Sequence, residues 1–111
     1  VIRLKDNQAT ILQQEIFGPI AIIVSFTSME EVIHLANDTE AGLASYVYSA
    51  NDATLALMTE KLAFGEEHLN GYKYDIYLPH GGIKNSGIGV DCSTYALDDY
   101  LIKKRVTKAL N

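Results

Sequence analysis

The chain has one cysteine, Cys92, so no disulfide can close within it, and a reducing cytoplasm is the expected setting. Basic residues are also scarce. Nine of them stand against fourteen acidic residues, giving a net charge of −5, and no basic stripe is present to attract nucleic acid or an anionic membrane surface. No long hydrophobic run occurs either: the longest strongly apolar stretch, Ile20 to Val24, is far too short to span a bilayer. The opening Val-Ile-Arg-Leu-Lys-Asp carries no secretory signal, and a start on Val1 suggests a processed product, a fragment, an unusual start codon or a chain without its front half. Histidines 34, 68 and 80 are scattered and no cysteine cluster accompanies them, so no metal site is expected.

What is present is an ordinary globular balance. Hydrophobic residues make up 48% and charged residues 21% of 111, which argues against disorder and for one compact unit. Ile20 to Phe26 is nearly continuous and β-branched, as in a strand covered on both faces. Thr27 and Ser28 offer two overlapping capping boxes, with Glu30 and Glu31 respectively. Met29, Val32, Ile33 and Ala36 then follow at helical spacing, with Asn37 placed to end the helix in a left-handed conformation. Leu43 to Ser49 reads as a second strand. Asn51 or Asp52 caps a second helix running to about Phe64, with Leu55, Met58 and Leu62 inward and Gly65 as terminator. His68 to Asn70 is a weak third strand. Glu66 and Glu67 read most simply as a solvated pair.

This order is βαβαβ, an α/β fold with a largely parallel sheet and helices, followed by a C-terminal helix and a terminal strand. Gly71 to Val90 holds four further glycines, one proline and three tyrosines and reads as an ordered, functional loop. Asp91 or Ser93 caps the last helix, with Leu97, Tyr100 and Leu101 inward and Asp99 paired to Lys103. Arg105 to Leu110 forms the terminal strand.

Three motifs carry chemistry. Glu15-Ile16-Phe17-Gly18-Pro19 sets a carboxylate and an aromatic ring two residues apart, on one side of an extended segment. A carboxylate suits a ribose diol and a ring suits a heterocycle; alternatively Phe17 packs and Glu15 is simply solvated. The motif resembles a hallmark of the aldehyde dehydrogenase superfamily. Leu35-Ala36-Asn37-Asp38-Thr39-Glu40-Ala41-Gly42-Leu43-Ala44 resembles that family's asparagine-aspartate-threonine stretch. Pro79-His80-Gly81-Gly82-Ile83-Lys84-Asn85-Ser86-Gly87-Ile88-Gly89 resembles its Pro-Phe-Gly-Gly-x-Lys-x-Ser-Gly loop. The likeness covers essentially the whole chain, with the motifs in order.

The resemblance implies the C-terminal part of an NAD(P)-dependent aldehyde dehydrogenase: residues 1–104 from the catalytic domain and 105–111 a terminal oligomerisation strand. Glu15 would hold the nicotinamide ribose and Phe17 would lie near the nicotinamide ring. His80 would border the aldehyde where the family usually has phenylalanine, which makes a polar substrate conceivable; alternatively its ring is simply satisfied by loop backbone. The terminal strand would join a neighbouring subunit's sheet, giving a homo-oligomer. The family's nucleophilic cysteine and its hydrolytic glutamate lie upstream of the Glu-Ile-Phe-Gly-Pro motif, so no catalytic residue is assigned here. Cys92 lies on the wrong side of that motif, and Thr27-Ser28-Met29-Glu30 replaces any glycine-rich turn after the first strand. The isolated chain is therefore expected to be inactive. A different reading makes it a non-catalytic α/β assembly module derived from the same family.

Overall fold

The computed structural model describes residues 1–110. Strand β1 (Ile2–Leu4) pairs in parallel with β2 (Ile22–Val24), in the register Ile2 to Ile22. The predicted strand over 20–26 is thus trimmed to three residues, and its partner is the very start of the chain. Helix α1 (Met29–Asn37) follows, with Ser28 as its N-cap. The Ser28 hydroxyl accepts from the Glu31 amide at 3.1 Å. The box expected between Thr27 and Glu30 is replaced by one with Glu31, whose Oε2 accepts from the Thr27 amide (2.7 Å) and hydroxyl (2.8 Å). Those bonds hold the Glu31 carboxyl below its ordinary value, the Thr27 amide contributing most.

Asn37 does not turn left-handed. It closes the helix, and its side chain ties the ends of both helices together, donating to the Lys61 carbonyl and accepting from the Ala63 amide, each at 2.8 Å. Strand β3 (Ala44–Val47), helix α2 (Asp52–Lys61) and strand β4 (Glu66–Leu69) make a βαβ unit whose strands are parallel, with Tyr46 opposite His68. Asn51 caps α2 through its side-chain oxygen, which accepts from the Ala53 and Thr54 amides. Gly65 does not terminate that helix, which ends at Leu62 in extended geometry. Its function is packing: a Cβ on Gly65 would collide with the Gly81 carbonyl oxygen.

The 71–90 loop folds back through a short antiparallel pair, β5 (His80–Gly81) with β6 (Val90–Asp91), enclosing a 3₁₀ turn over Lys84–Ser86. The α/β class with parallel pairing matches the expectation, but the strands form three separate pairs and not one sheet. Beyond β6 the expectation fails in detail. Tyr95–Tyr100 is 3₁₀, not a cap-started α-helix. Leu97, Tyr100 and Leu101 are exposed, not inward, and Lys103 meets Asp98 at 3.4 Å in place of Asp99. Lys103 lies beyond the 3₁₀ segment, where Leu101 is already extended, so the helical i,i+4 alignment with Asp99 is lost. Residues 101–110 carry no strand within this chain; Asn111 of the predicted terminal strand lies outside the described residues.

The expectation of a compact unit is also corrected. The chain extends over 72 × 32 × 23 Å with a radius of gyration of 18.9 Å, against about 13 Å for a compact domain of this length. Val47 and Met58 are the buried hydrophobic residues, while Ile23, Phe26, Tyr46 and Tyr48 on or beside the central strands are exposed. Two-stranded parallel pairs leave faces that want cover on both sides. Among the described residues no helix is long and apolar enough to cross a membrane.

Candidate functional site

The 80–91 hairpin is held against the rest by backbone, which is why its glycines matter. The Gly42 carbonyl accepts from both the Gly65 and Ile83 amides at 3.0 Å, and the Gly42 amide donates to the Ser86 hydroxyl at 2.9 Å. A Cβ on Gly42 would stand 2.8 Å from the Ile83 carbonyl oxygen. Lys84, itself at φ 55°, donates to the Asn37 and Thr39 carbonyls at 3.2 Å and lies 5.3 Å from the Phe64 ring centroid. Asn85 donates through its backbone to the Glu40 carbonyl and through its side chain to the Glu40 carboxylate. The second motif stretch and the loop motif therefore form one locked substructure, with the lysine neutralising the negative end of α1.

Against that substructure lies an open groove of about 440 Å³ bordered by Glu15, Glu40, Phe64, Asn85 and Ser86. Glu15, some seventy residues earlier in the chain, thus shares a wall with the loop motif. Phe17 behaves differently: its ring is 94% exposed, on a segment turned by bonds from the Gly18 amide to the Ile16 carbonyl and from the Ile20 amide to the Gly18 carbonyl. Within this chain it has nothing to lie against.

His80 belongs to a different cavity. Ser86 lines both the Glu15 groove and a cleft that reaches His80, and on its other side His80 borders a cavity of about 450 Å³. There the pair read as solvated is corrected. The Glu66 side chain retains only 16% exposure. Its Oε2 meets His68 Nε2 at 3.2 Å, and its Oε1 contacts His80 Nδ1. That second contact is not aligned as a hydrogen bond, and Oε1 counts, with Glu67 Oε2, as a buried oxygen without an aligned donor. The His68 ring stacks on Tyr46 with centroids 4.9 Å apart and tilts against Tyr72 at the same separation. Strand alternation could have revealed this: Glu66 and His68 are i and i+2, so they share a face. The acidic doublet masked that signal. The three residues do not make a metal centre; among the described residues no group of three or more potential ligands could hold one. Cys92 is half-buried at φ 62°, with its sulfur 3.6 Å from the Tyr74 hydroxyl. That bond, followed by Coulombic repulsion from the Cys92 sulfur, holds the Tyr74 phenol above its ordinary value.

Residues 1–106 match the aldehyde dehydrogenase family. The chain belongs to that family. It is 45% identical over 102 residues to the NADP(+) succinate-semialdehyde dehydrogenase of Saccharomyces cerevisiae, a match covering 91% of this chain and 20% of that protein. A putative aldehyde dehydrogenase of Staphylococcus saprophyticus is 38% identical over 96% of the chain and 22% of its own length. Among solved structures, an apo betaine aldehyde dehydrogenase mutant from Staphylococcus aureus superposes with a TM-score of 0.86 at 36% identity, covering 92% of this chain and 21% of that one. A Pseudomonas syringae indole-3-acetaldehyde dehydrogenase mutant in complex with NAD+ gives 0.83 at 40%, covering 88% and 20%. The chain thus spans about a fifth of these aldehyde dehydrogenases.

Proposed function

We propose that the chain is the C-terminal part of an NAD(P)-dependent aldehyde dehydrogenase that oxidises an aldehyde to a carboxylic acid, and that it is inactive alone. The observation that carries this reading is the groove in which Glu15 meets Asn85 and Ser86. A groove lined by the Glu15 carboxylate with Ser86, Asn85 and Glu40, the last two already bonded to each other, offers acceptors for the hydroxyls of a ribose. Glu15 would hold those hydroxyls, and Phe17, free of any intrachain partner, would cover the nicotinamide ring. The dinucleotide, when bound, accepts the hydride. His80 would border the aldehyde, and Lys84 and Gly42 fix the loop that joins the Glu15 groove to the His80 cavity. The nucleophile and the rest of the dinucleotide site come from the part of the enzyme that the relatives carry beyond this fifth.

The test is direct. The purified chain is assayed for aldehyde-dependent NAD(P)H formation alone, and again after mixing or joining with the remaining portion of a family member. The expected result is no turnover alone and turnover in the assembly; activity from the chain by itself refutes the reading. With the assembly active, Glu15→Gln is expected to raise the cofactor KM.

A second reading has its own support in the exposed faces of β2, β3 and the 101–110 segment. On it, the chain is a non-catalytic assembly module, with residues 105–111 adding a strand to another subunit's sheet. A homo-oligomer is common to both readings, as is a cytoplasmic location. Failure of every N-terminal complement to restore turnover, together with stable self-association, favours the module.

A further inference from the structure

The cavity beside His80 is acidic. Three carboxylates line it, from Glu66, Glu67 and Asp75, against the one lysine, Lys73, which already pairs with Asp75 at 3.5 Å. Glu66 Oε1 is already taken up by the His80 ring, whereas Glu67 Oε2 is a buried oxygen with no donor beside it. A buried carboxylate oxygen left this way is costly, and a donor on a ligand relieves it. The histidine adds a second open acceptor. Two acceptors do not sit in contact, so the His80 Nδ1 that touches Glu66 Oε1 is the nitrogen that bears hydrogen. In the neutral ring the remaining nitrogen, Nε2, is then an acceptor. Glu66 is held in turn by His68, whose ring is wedged between Tyr46 and Tyr72, so the carboxylate that orients His80 is itself fixed.

We infer that this cavity recognises an aldehyde substrate carrying a hydrogen-bond donor, a hydroxyl or an ammonium, at the end remote from the aldehyde, with His80 as the contact and Glu66 as its positioning residue. The inference rests on the aldehyde dehydrogenase reading and adds the substrate class to it. Anionic aldehydes are disfavoured, because the lining carboxylates repel them.

The experiment uses the assembled enzyme and four length-matched aldehydes ending in methyl, hydroxyl, ammonium or carboxylate. The kcat/KM for the hydroxyl or the ammonium substrate is expected to exceed that for the methyl substrate by about tenfold or more, as a site built to bond a donor penalises its absence. Equal use of the methyl substrate, or preference for the carboxylate one, overturns this inference while leaving the dehydrogenase reading intact. Oxidation of none of the four overturns the dehydrogenase reading, and this one with it. Glu66→Gln separates positioning from bulk: its amide can donate to the ring and release the tautomer, so the donor-to-methyl ratio is expected to collapse toward one. A stronger fall for ammonium than for hydroxyl identifies charge as the source of recognition, and an unchanged ratio in a variant with an intact melting transition removes Glu66 from the proposal. The wild-type ratio tests the substrate class even if the variant does not fold.

Discussion

Denaturation of the isolated chain tests most directly whether its exposed faces are real vacancies in packing. The perturbation is urea, applied to the chain without any partner. Its accessible surface is 9081 Å², whereas a compact monomer of 12.2 kDa exposes about 6,100 Å². The excess is about 3,000 Å², the size of a large obligate interface. An unfolded chain of this mass exposes about 17,700 Å², so folding to this structure hides about three-quarters of what a compact protein of equal length would hide. The urea m-value scales with that hidden surface. It should therefore reach no more than about three-quarters of the value for a compact protein of this size, with a broad transition and binding of a hydrophobic dye before unfolding. Circular dichroism against urea, with sedimentation to fix the oligomeric state, measures both quantities. A monomer that melts sharply with a full m-value would refute the reasoning, since it would mean that the chain collapses on itself and needs no cover.

Four smaller predictions follow from particular contacts. Ser28→Ala removes the cap of α1 and should cost about 1 kcal/mol, read as a drop in urea midpoint of the assembled protein. Because the Glu31 carboxyl is held below its ordinary value in the folded chain, its contribution is present above the unfolded pKa and disappears as pH falls through the lower folded one; Glu31→Gln should flatten that acid-side loss. Lys84→Met removes two bonds to carbonyls at the end of α1 and should cost about 1–3 kcal/mol, with a larger loss of turnover than of cofactor binding if the loop slips from the Glu15 groove. Gly65→Ala should disrupt the packing of β4 on the 80–91 hairpin, visible as faster hydrogen exchange at the Ile83 amide, whereas Gly71→Ala, with open space around it, should leave that exchange unchanged.

Local signals were legible where one short segment contains its own cause. Ser28 and Asn51 are caps because their side chains reach amides two or three residues on, and nothing distant competes. Both long helices begin at their expected caps for the same reason. Legibility fails where the cause is far away in sequence. Asn37 has the chemistry of a left-handed terminator, yet two groups at the end of α2 capture its side chain and hold it helical. Gly65 was read for its backbone freedom, and the structure uses its missing Cβ. Glu66 looks like a solvated acid beside another acid until His80, fourteen residues on, folds against it. In the site, the approach of Glu15 to the loop motif was not legible, because no periodicity links residues 15 and 85.

The unfinished appearance of the fold and that of the site have one physical source. A parallel pair such as β1–β2 or β3–β4 is stable when both faces are covered, and in this chain Ile23 and Tyr46 stand uncovered on those pairs. Phe17 stands equally uncovered on the segment leading into β2. A ring kept almost wholly in water gains nothing for stability here, since burying it would contribute about 1.5–3 kcal/mol. If the same missing protein layer covers β2, it necessarily comes down beside Phe17 as well, because only Gly18 to Ala21 separate them. The surface that completes the sheet and the surface that completes the proposed cofactor contact at Phe17 are then one surface. Adding the complementing segment should therefore protect the β2 amides from exchange and shield the Phe17 ring in a single concentration-dependent step. Two separate steps would mean that the sheet and the site are completed by different partners.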